Sequence, residues 1–291
     1  AVHNALDAQR SSGMAIDGVP GEGYRLAPED DSLTAAGVQA LLDTRFVGRE
    51  MVVLPSLSST NTVIKERYLD RPHGFVLLAE EQTGGRGRLG RTFVSPAETG
   101  VYQTILLHPT LPVGHIQLAT IAAAVAVAEA VTQTAGFSPE IKWVNDVLYE
   151  GHKLSGILTE ASIEGESGTV SSLLVGIGVN LRPNPAWPED VRAVAGALSE
   201  FGRTPRRAEL AAAVLTHFER AYSLLEQDRA DKLLDQYRSR LCCLGKSIKV
   251  IGPAETYQAD CIGLDGNGFL LVRDETGQTR TLSSGEISIR F

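Results

Sequence analysis

The 291 residues include only three cysteines, two methionines and two tryptophans. Two of the cysteines, Cys242 and Cys243, are adjacent, and no CxxC spacing occurs. That excludes a disulfide framework and a cysteine-based metal site, and it suits a reducing cytoplasm. Positive charge is also scarce: 27 Lys and Arg stand against 35 Asp and Glu, a net charge of −8. General nucleic-acid binding, which favours a basic face, is not expected from that balance. The start, Ala1-Val2-His3-Asn4, lacks the basic and then apolar regions of a signal peptide. The most apolar stretch, Ile121–Val131, is too short to span a bilayer and contains Glu129, so no membrane association is expected. There is no internal repeat, and neither HRD nor DFG occurs, which removes a protein kinase. What remains is a 43% hydrophobic, 21% charged globular chain, long enough for one large domain with a small companion.

Against this acidic background one stretch is locally basic. Glu81–Arg91 carries Gly84, Gly85, Gly87 and Gly90 interleaved with Arg86, Arg88 and Arg91. Glycine frees the backbone to wrap an anion with N–H groups, and guanidinium forks clamp it. Three like charges repel one another, so the loop is expected to be mobile until an anionic substrate orders it. Gly85–Gly90 also fits GxGxxG, but a dinucleotide site needs a helix to start there, and Thr92, Phe93, Val94 and Pro96 are poor helix sequence. Gly245-Lys246-Ser247 resembles the end of a P-loop, yet Arg240 stands where its first glycine is required.

The rest of the chain reads as alternating elements. Residues 1–33 form an arm without sustained periodicity. A helix carrying Val38, Leu41 and Leu42 follows a Ser32 or Thr34 cap. Strands are expected at Met51–Leu54, Phe75–Glu80 and Val101–Leu107, with a helix from the Ser58-Ser59-Thr60-Asn61 cap to about Leu69. His115 to Thr134 is apolar on all sides and predicts a buried helix. Lys153–Ser162 and Thr169–Leu181 predict a hairpin, and Val191–Phe201, Arg207–Leu225 and Ala230–Leu241 predict helices. After Cys243 short strands alternate with Gly252-Pro253, Asp265-Gly266-Asn267-Gly268 and Glu275-Thr276-Gly277, which predicts a small β-barrel. The domain boundaries expected are therefore an arm at 1–33, a catalytic domain at 34–243 and a barrel at 244–291.

Four further clusters hold chemistry-bearing side chains. Ser58-Ser59-Thr60-Asn61 is equally an ordinary helix cap. Lys142-Trp143-Val144-Asn145-Asp146 is either a turn or a site in which Asp146 holds Mg²⁺ and Asn145 reads a base edge. Lys153, before Leu154-Ser155-Gly156, is a solvated lysine or one aimed at a phosphate or carboxylate. Gly176-Ile177-Gly178-Val179-Asn180 puts two glycines inside a strand, a mark of close approach by a ligand or another backbone.

Taken in order, Ser59-Thr60-Asn61, Gln82 with Gly84-Gly85-Arg86-Gly87-Arg88 and Arg91, Lys142-Trp143-x-Asn145-Asp146, Lys153-Leu154-Ser155-Gly156-Ile157-Leu158 and Gly176-x-Gly178-Val179-Asn180 resemble the biotin protein ligases. The likeness covers Met51 to Leu181 by motif and reaches the C-terminus by architecture. Val144 departs from it, standing where the family usually has proline, and is expected to loosen the turn presenting Asn145 and Asp146. Only about fifty residues precede Ser59, without a convincing helix-turn-helix, which resembles the short class lacking a DNA-binding repressor domain.

The resemblance implies an α/β fold: a mostly antiparallel mixed sheet with helices, like class II aminoacyl-tRNA synthetases, plus an SH3-like barrel. It implies an enzyme that uses ATP and Mg²⁺ to convert biotin to biotinyl-5′-AMP. The biotinyl group then passes to a lysine of the biotin carboxyl carrier domain of an acyl-CoA carboxylase. By the same resemblance Arg86, Arg88, Arg91 and Lys153 are catalytic, with Arg86 near the biotin carboxylate and Arg88 near the adenylate phosphate. Biotin falls to Ser59, Thr60, Asn61, Gln82, Gly85, Arg86, Lys153, Gly156 and Gly176. The adenylate falls to Arg88, Arg91, Trp143, Asn145 and Asn180, with Trp187 in a loop over the adenine and Asp146 as the metal ligand. A monomer or homodimer in the cytoplasm is expected. A lipoate-type acyl-adenylate ligase and a biotinyl-AMP-binding regulator are the alternatives.

Overall fold

A computed structural model of the chain describes residues 16–19, 23–26, 31–109, 115–163, 169–185, 187–252, 255–283 and 285–288. Most of the expected arm lies outside these residues. Within it, Ile16–Val19 (β1) pairs antiparallel with Gly23–Leu26 (β2), a hairpin the sequence reading did not anticipate.

The central layer is a seven-stranded mixed sheet. Met51–Leu57 (β3) leads through the helix Thr60–Arg67 (α2) to Phe75–Gln82 (β4), and this right-next-neighbour pair is parallel, with Met51 opposite Val76. The other pairs are antiparallel. They comprise Gly100–Leu107 (β5), Glu140–Lys142 (β6), Asp146–Tyr149 (β7), His152–Ile163 (β8) and Val170–Asn180 (β9), giving the order β3-β4-β5-β9-β8-β7-β6. Preceding this sheet, Ala35–Gln39 (α1) is capped by Thr34, whose hydroxyl accepts from Gly37 N at 3.1 Å.

One face of the sheet is covered by Ile116–Ala135 (α3), Arg207–Glu226 (α5) and Ala230–Arg238 (α6), with the four-residue turn of helix Glu189–Arg192 (α4) between sheet and α5 in sequence. The helix α3 is 20 residues long, as the apolar run from His115 to Thr134 predicted, and is enough by length and composition to cross a bilayer. Its apolar surface is spent on the core instead, with 83% of its most apolar window buried. Val125, Ala126, Val127 and Ala128 are all buried, so small residues let sheet and neighbouring helices approach on every side.

Residues 191–201 are not one helix. After α4 the chain straightens, Ala195 pairs in a bridge with Lys153, and Leu198–Glu200 makes a single 3₁₀ turn. Lys153 N donates to Val194 O at 2.7 Å and Gly196 N to Lys153 O at 3.0 Å, so tertiary pairing overrides the local helical pattern. The turn at Trp143–Val144 has a cis peptide bond. It is not loose: Val144 is buried, and its carbonyl accepts from Tyr237 Oη at 3.1 Å.

The C-terminal residues build a separate antiparallel sheet. Ser247–Ile251 (β10), Thr256–Leu264 (β11), Leu270–Asp274 (β12), Thr279–Leu282 (β13) and Glu286–Ser288 (β14) run in the order β13-β12-β11-β10-β14. This is the small all-β unit expected from the turn-rich sequence. It rests on the end of α3: Gly268, in the β11–β12 turn, accepts at its carbonyl from Gln117 Nε2 at 2.7 Å and Trp143 Nε1 at 3.1 Å.

Candidate active site

On the other face of the sheet lies a cavity of about 690 Å³, floored by β8 and β9 and closed by the glycine–arginine loop. Ser59, Thr60, Asn61, Gln82, Arg86, Arg88, Arg91, Trp143, Asn145, Asp146, Lys153, Gly156, Gly176 and Asn180 all line it. Of the candidate residues, Gly85 alone sits behind the wall. A side chain there would meet Phe93 O at 2.2 Å and Ser95 Oγ at 2.8 Å, so its smallness serves chain packing within the loop and not ligand approach.

One end of the cavity is neutral and hydrogen-bonded. Ser59 stands at the start of α2 but its hydroxyl makes no cap bond, so the ordinary helix-cap reading does not hold. Gln82 Oε1 instead accepts from Thr60 N at 2.9 Å and Thr60 Oγ1 at 3.2 Å, while Gln82 Nε2 donates to Ser95 Oγ at 3.0 Å. Thr104 Oγ1 links Thr60 Oγ1 at 2.7 Å to Asn61 Oδ1 at 2.6 Å. The strand Gly176 is where Asn61 packs: a Cβ would fall 2.5 Å from Asn61 Oδ1. A rigid array of hydroxyls and amides results, with no charge on its cavity side from these residues.

The other end is charged. Lys153 Nζ lies 2.6 Å from Asp146 Oδ1, an ion contact without hydrogen-bond alignment, and it also sits 3.3 Å from where a Gly156 Cβ would be. Arg88 donates from Nη1 to Asn145 Oδ1 at 3.2 Å and from Nη2 to Gly285 O at 3.4 Å, so the C-terminal sheet closes this end. Trp143, Trp187, Val191 and Val194 supply apolar wall around it. Asn145 and Asn180 were assigned to the adenine, but here their N–H groups are engaged by main chain. Asn145 Nδ2 donates to Ile157 O at 2.8 Å, and Asn180 Nδ2 to Gly196 O at 3.1 Å and Lys153 O at 3.3 Å. They position β8 and the 194–196 segment in this structure.

Between the ends runs the loop. Gly87 N donates to Arg91 O at 2.7 Å, Arg88–Gly90 makes a 3₁₀ turn, and Leu89 sits at its tip in the left-handed region, 74% exposed. The loop splits its arginines. Arg86 Nη1 pairs with Glu160 Oε1 at 3.2 Å. Glu160 is four residues along β8 from Gly156, roughly 13 Å at ~3.3 Å per residue. Arg86, expected near the biotin carboxylate, here has its guanidinium beside Glu160 at the neutral end of the cavity.

These features can be set beside known proteins. Residues 53–180 match the Biotin/lipoate A/B protein ligase family, and residues 243–290 match the Biotin protein ligase C terminal domain. The biotin–[acetyl-CoA-carboxylase] ligase of Mycobacterium tuberculosis is 30% identical over 250 residues, covering 82% of this chain and 88% of that protein. The chain belongs to the biotin protein ligase family. The bifunctional ligase/repressor BirA of Bacillus subtilis is 29% identical over 287 residues, 98% of this chain and 88% of that protein. Among solved structures, the biotin protein ligase of Aquifex aeolicus in complex with biotin and ATP superposes with a TM-score of 0.72 at 28% identity, covering 83% of this chain and 99% of that one.

One residue of the cavity lining and one just outside it escaped the sequence reading. Phe93 lies across the glycines of the floor, with its ring 2.5 Å from where a Cβ on Gly178 would be and 3.4 Å from one on Gly156. Tyr102 holds it edge-on at 6.4 Å between centroids, and Gly178 is the glycine this contact requires. A lone aromatic two residues after a basic loop, facing two in-strand glycines, is a signal that only the β5–β9–β8 register makes visible. The second is Glu160, whose carboxylate gathers Lys65 Nζ at 2.7 Å, Asn61 Nδ2 at 2.8 Å and Arg86. Burial pushes its carboxyl up, but hydrogen bonds from Lys65 and Asn61 and the charges of Lys65 and Arg86 outweigh that and hold it below the usual range. Glu160 stays ionised.

Proposed function

We propose that this cavity binds biotin and ATP side by side, joins them as biotinyl-5′-AMP, and delivers the biotinyl group to a lysine of the biotin carboxyl carrier domain of an acyl-CoA carboxylase. The observation that carries the reading is the polarity of one continuous cavity. A neutral hydroxyl–amide end (Ser59, Thr60, Asn61 and Gln82) suits a ureido ring with two N–H donors and one carbonyl. Phe93 offers an apolar face to the fused ring, and Lys153, Arg88 and Arg91 suit a carboxylate meeting a phosphate.

In the first step an oxygen of the biotin carboxylate attacks the α-phosphorus of ATP. A new O–P bond forms as the bond to the β-phosphate breaks, and pyrophosphate leaves. Two anions must meet, and Lys153 and Arg88 offset their repulsion and the charge growing on the phosphoryl oxygens. In the second step the neutral amine of the acceptor lysine attacks the carbonyl carbon. A C–N bond forms, the C–O bond to AMP breaks, and the amine gives up one proton. Closure of the glycine–arginine loop keeps water from the mixed anhydride between the steps.

The described residues offer no group of three His, Cys, Asp or Glu side chains able to hold a metal, and Asp146 is a single carboxylate already paired with Lys153. That fits an ion brought mainly by phosphates, since Mg²⁺ keeps most of its shell from water and substrate oxygens. When bound, Mg²⁺ held by Asp146 and the ATP phosphates would neutralise charge on the leaving pyrophosphate. The proposed compartment is the cytoplasm, where the free thiols of Cys242, Cys243 and Cys261 stay reduced.

Transfer of labelled biotin to a purified carrier domain, dependent on ATP and Mg²⁺, tests the whole reading, and absence of transfer with formation of no pyrophosphate would refute it. Competition between biotin and lipoate for adenylate formation separates the lipoate alternative. Ligand-dependent, sequence-specific retardation of DNA would favour the regulator.

A further inference from the structure

Glu160 is the only carboxylate among the described residues that touches both sides of the cavity mouth at its neutral end. It lies on β8 outside the cavity lining, 17% exposed at its side chain, and reaches α2 through Asn61 and Lys65 and the loop through Arg86. Arg86 meets it with one nitrogen only, at 3.2 Å and 3.5 Å from the two carboxylate oxygens, which leaves the rest of the guanidinium facing the cavity. The lysine and amide contacts are shorter, at 2.7 and 2.8 Å. The carboxylate is thus fixed firmly to α2 and loosely to the loop, which is the asymmetry of a latch whose moving half is the loop.

We propose that Glu160 is a positioning residue that latches the glycine–arginine loop shut over the ring end of the substrate through Arg86, and that this pair sets how long biotin and its adenylate stay bound. The inference rests on the proposed biotin-ligase reading for its ligand, but the latch itself is a property of the ligand-free chain. The chemistry runs at the opposite end, at Lys153 and Arg88, so the latch controls retention and leaves the phosphoryl step alone. Glu160→Gln keeps the size of the side chain and an oxygen to accept from Asn61, and it removes the charge that holds Arg86.

The test has three arms. Amide hydrogen exchange of the loop, residues 84–90, is measured in the ligand-free protein. It should quicken about fivefold in Glu160→Gln, the scale of a partly exposed ion pair. Arg86→Gln should have the same effect alone and add nothing in the Glu160→Gln background. Lys65→Gln, which breaks the other ion pair on the same carboxylate, should leave loop exchange unchanged. With ligand, dissociation of biotin from Glu160→Gln should quicken by a similar factor while the rate of pyrophosphate formation at saturation changes less than about twofold.

Unchanged loop exchange in Glu160→Gln, or fully additive effects of the two substitutions, would overturn the latch. A proportional loss of pyrophosphate formation and retention would mark Glu160 as merely structural and overturn it too. If the unaltered protein forms no pyrophosphate from biotin and ATP, the ligase reading fails, and loop exchange still decides the latch.

Discussion

Lys153 and Arg86 illustrate how residues of one charge acquire different tasks from their partners. Both line the same cavity, but Lys153 faces Asp146 at 2.6 Å while Arg86 faces Glu160. Losing a group that stabilises charge only in the transition state costs ~10²-fold or more in rate. Lys153→Ala and Arg88→Ala should therefore slow single-turnover adenylate formation by about that factor, whereas Arg86→Ala should slow it by less than about tenfold. Single-turnover measurement with labelled ATP distinguishes them: a loss below about threefold at Lys153 and Arg88 removes their proposed role. Equal losses at Arg86 and Lys153 would contradict the division of the cavity. The side-chain types were legible in sequence because anion chemistry needs cations and a ureido ring needs neutral hydrogen bonders. The division was not, since which carboxylate an arginine meets depends on strand register, and Glu160 sits in a strand where its neighbours suggested only alternation.

Elements carry their own supports, and Glu219 on α5 shows one that no local pattern betrays. Its carboxylate accepts from Arg45 N at 2.6 Å and from Phe46 N and Val47 N at 2.9 Å each, capping the turn that feeds β3. Burial raises its pKa, but these three backbone donors and the Arg45 side chain outweigh burial and leave it depressed. A carboxyl depressed in the folded state stabilises above its unfolded value, near 4.5, and that contribution is lost as pH falls through the folded value. Glu219→Ala should cost about 2–3 kcal/mol at neutral pH by orphaning these N–H groups. The gap to the unaltered protein should narrow in acid below about pH 4.5. Denaturant melts at pH 7 and pH 3.5 measure both, and a gap that is constant with pH would assign the loss to packing. The strands and long helices were readable from periodicity, to within a residue or two at α3, α5 and β9. The segment 191–201 was not, because a Cβ on Gly196 would stand 2.8 Å from His152 Cβ, where a side chain would not fit, and Lys153 draws the chain into a bridge.

At the scale of the whole molecule, the C-terminal sheet is a wall of the cavity and not an appendage. Gly285 and Ile287 line its charged end, Gly285 holds Arg88, and docking runs through the carbonyl of Gly268. Gly268 has φ +78, and a Cβ on it would stand 2.1 Å from Cδ1 of the buried Ile121 on α3. An alanine there meets both the left-handed penalty and an overpacked contact, together about 2–3 kcal/mol. Gly268→Ala should accordingly loosen the sheet from α3 and raise KM for ATP several-fold. KM for biotin should move little, because its ring end is built from α2, β4, β5, β8, β9 and the loop, away from the C-terminal sheet. Ile121→Val in the same chain removes the atom that the new methyl strikes, so it should recover part of the ATP affinity while the backbone strain persists. Steady-state kinetics against each substrate decide the point. Parallel rises in both KM values, or no recovery in the double variant, would mean that the small sheet acts on the catalytic domain as a whole and not through the charged end.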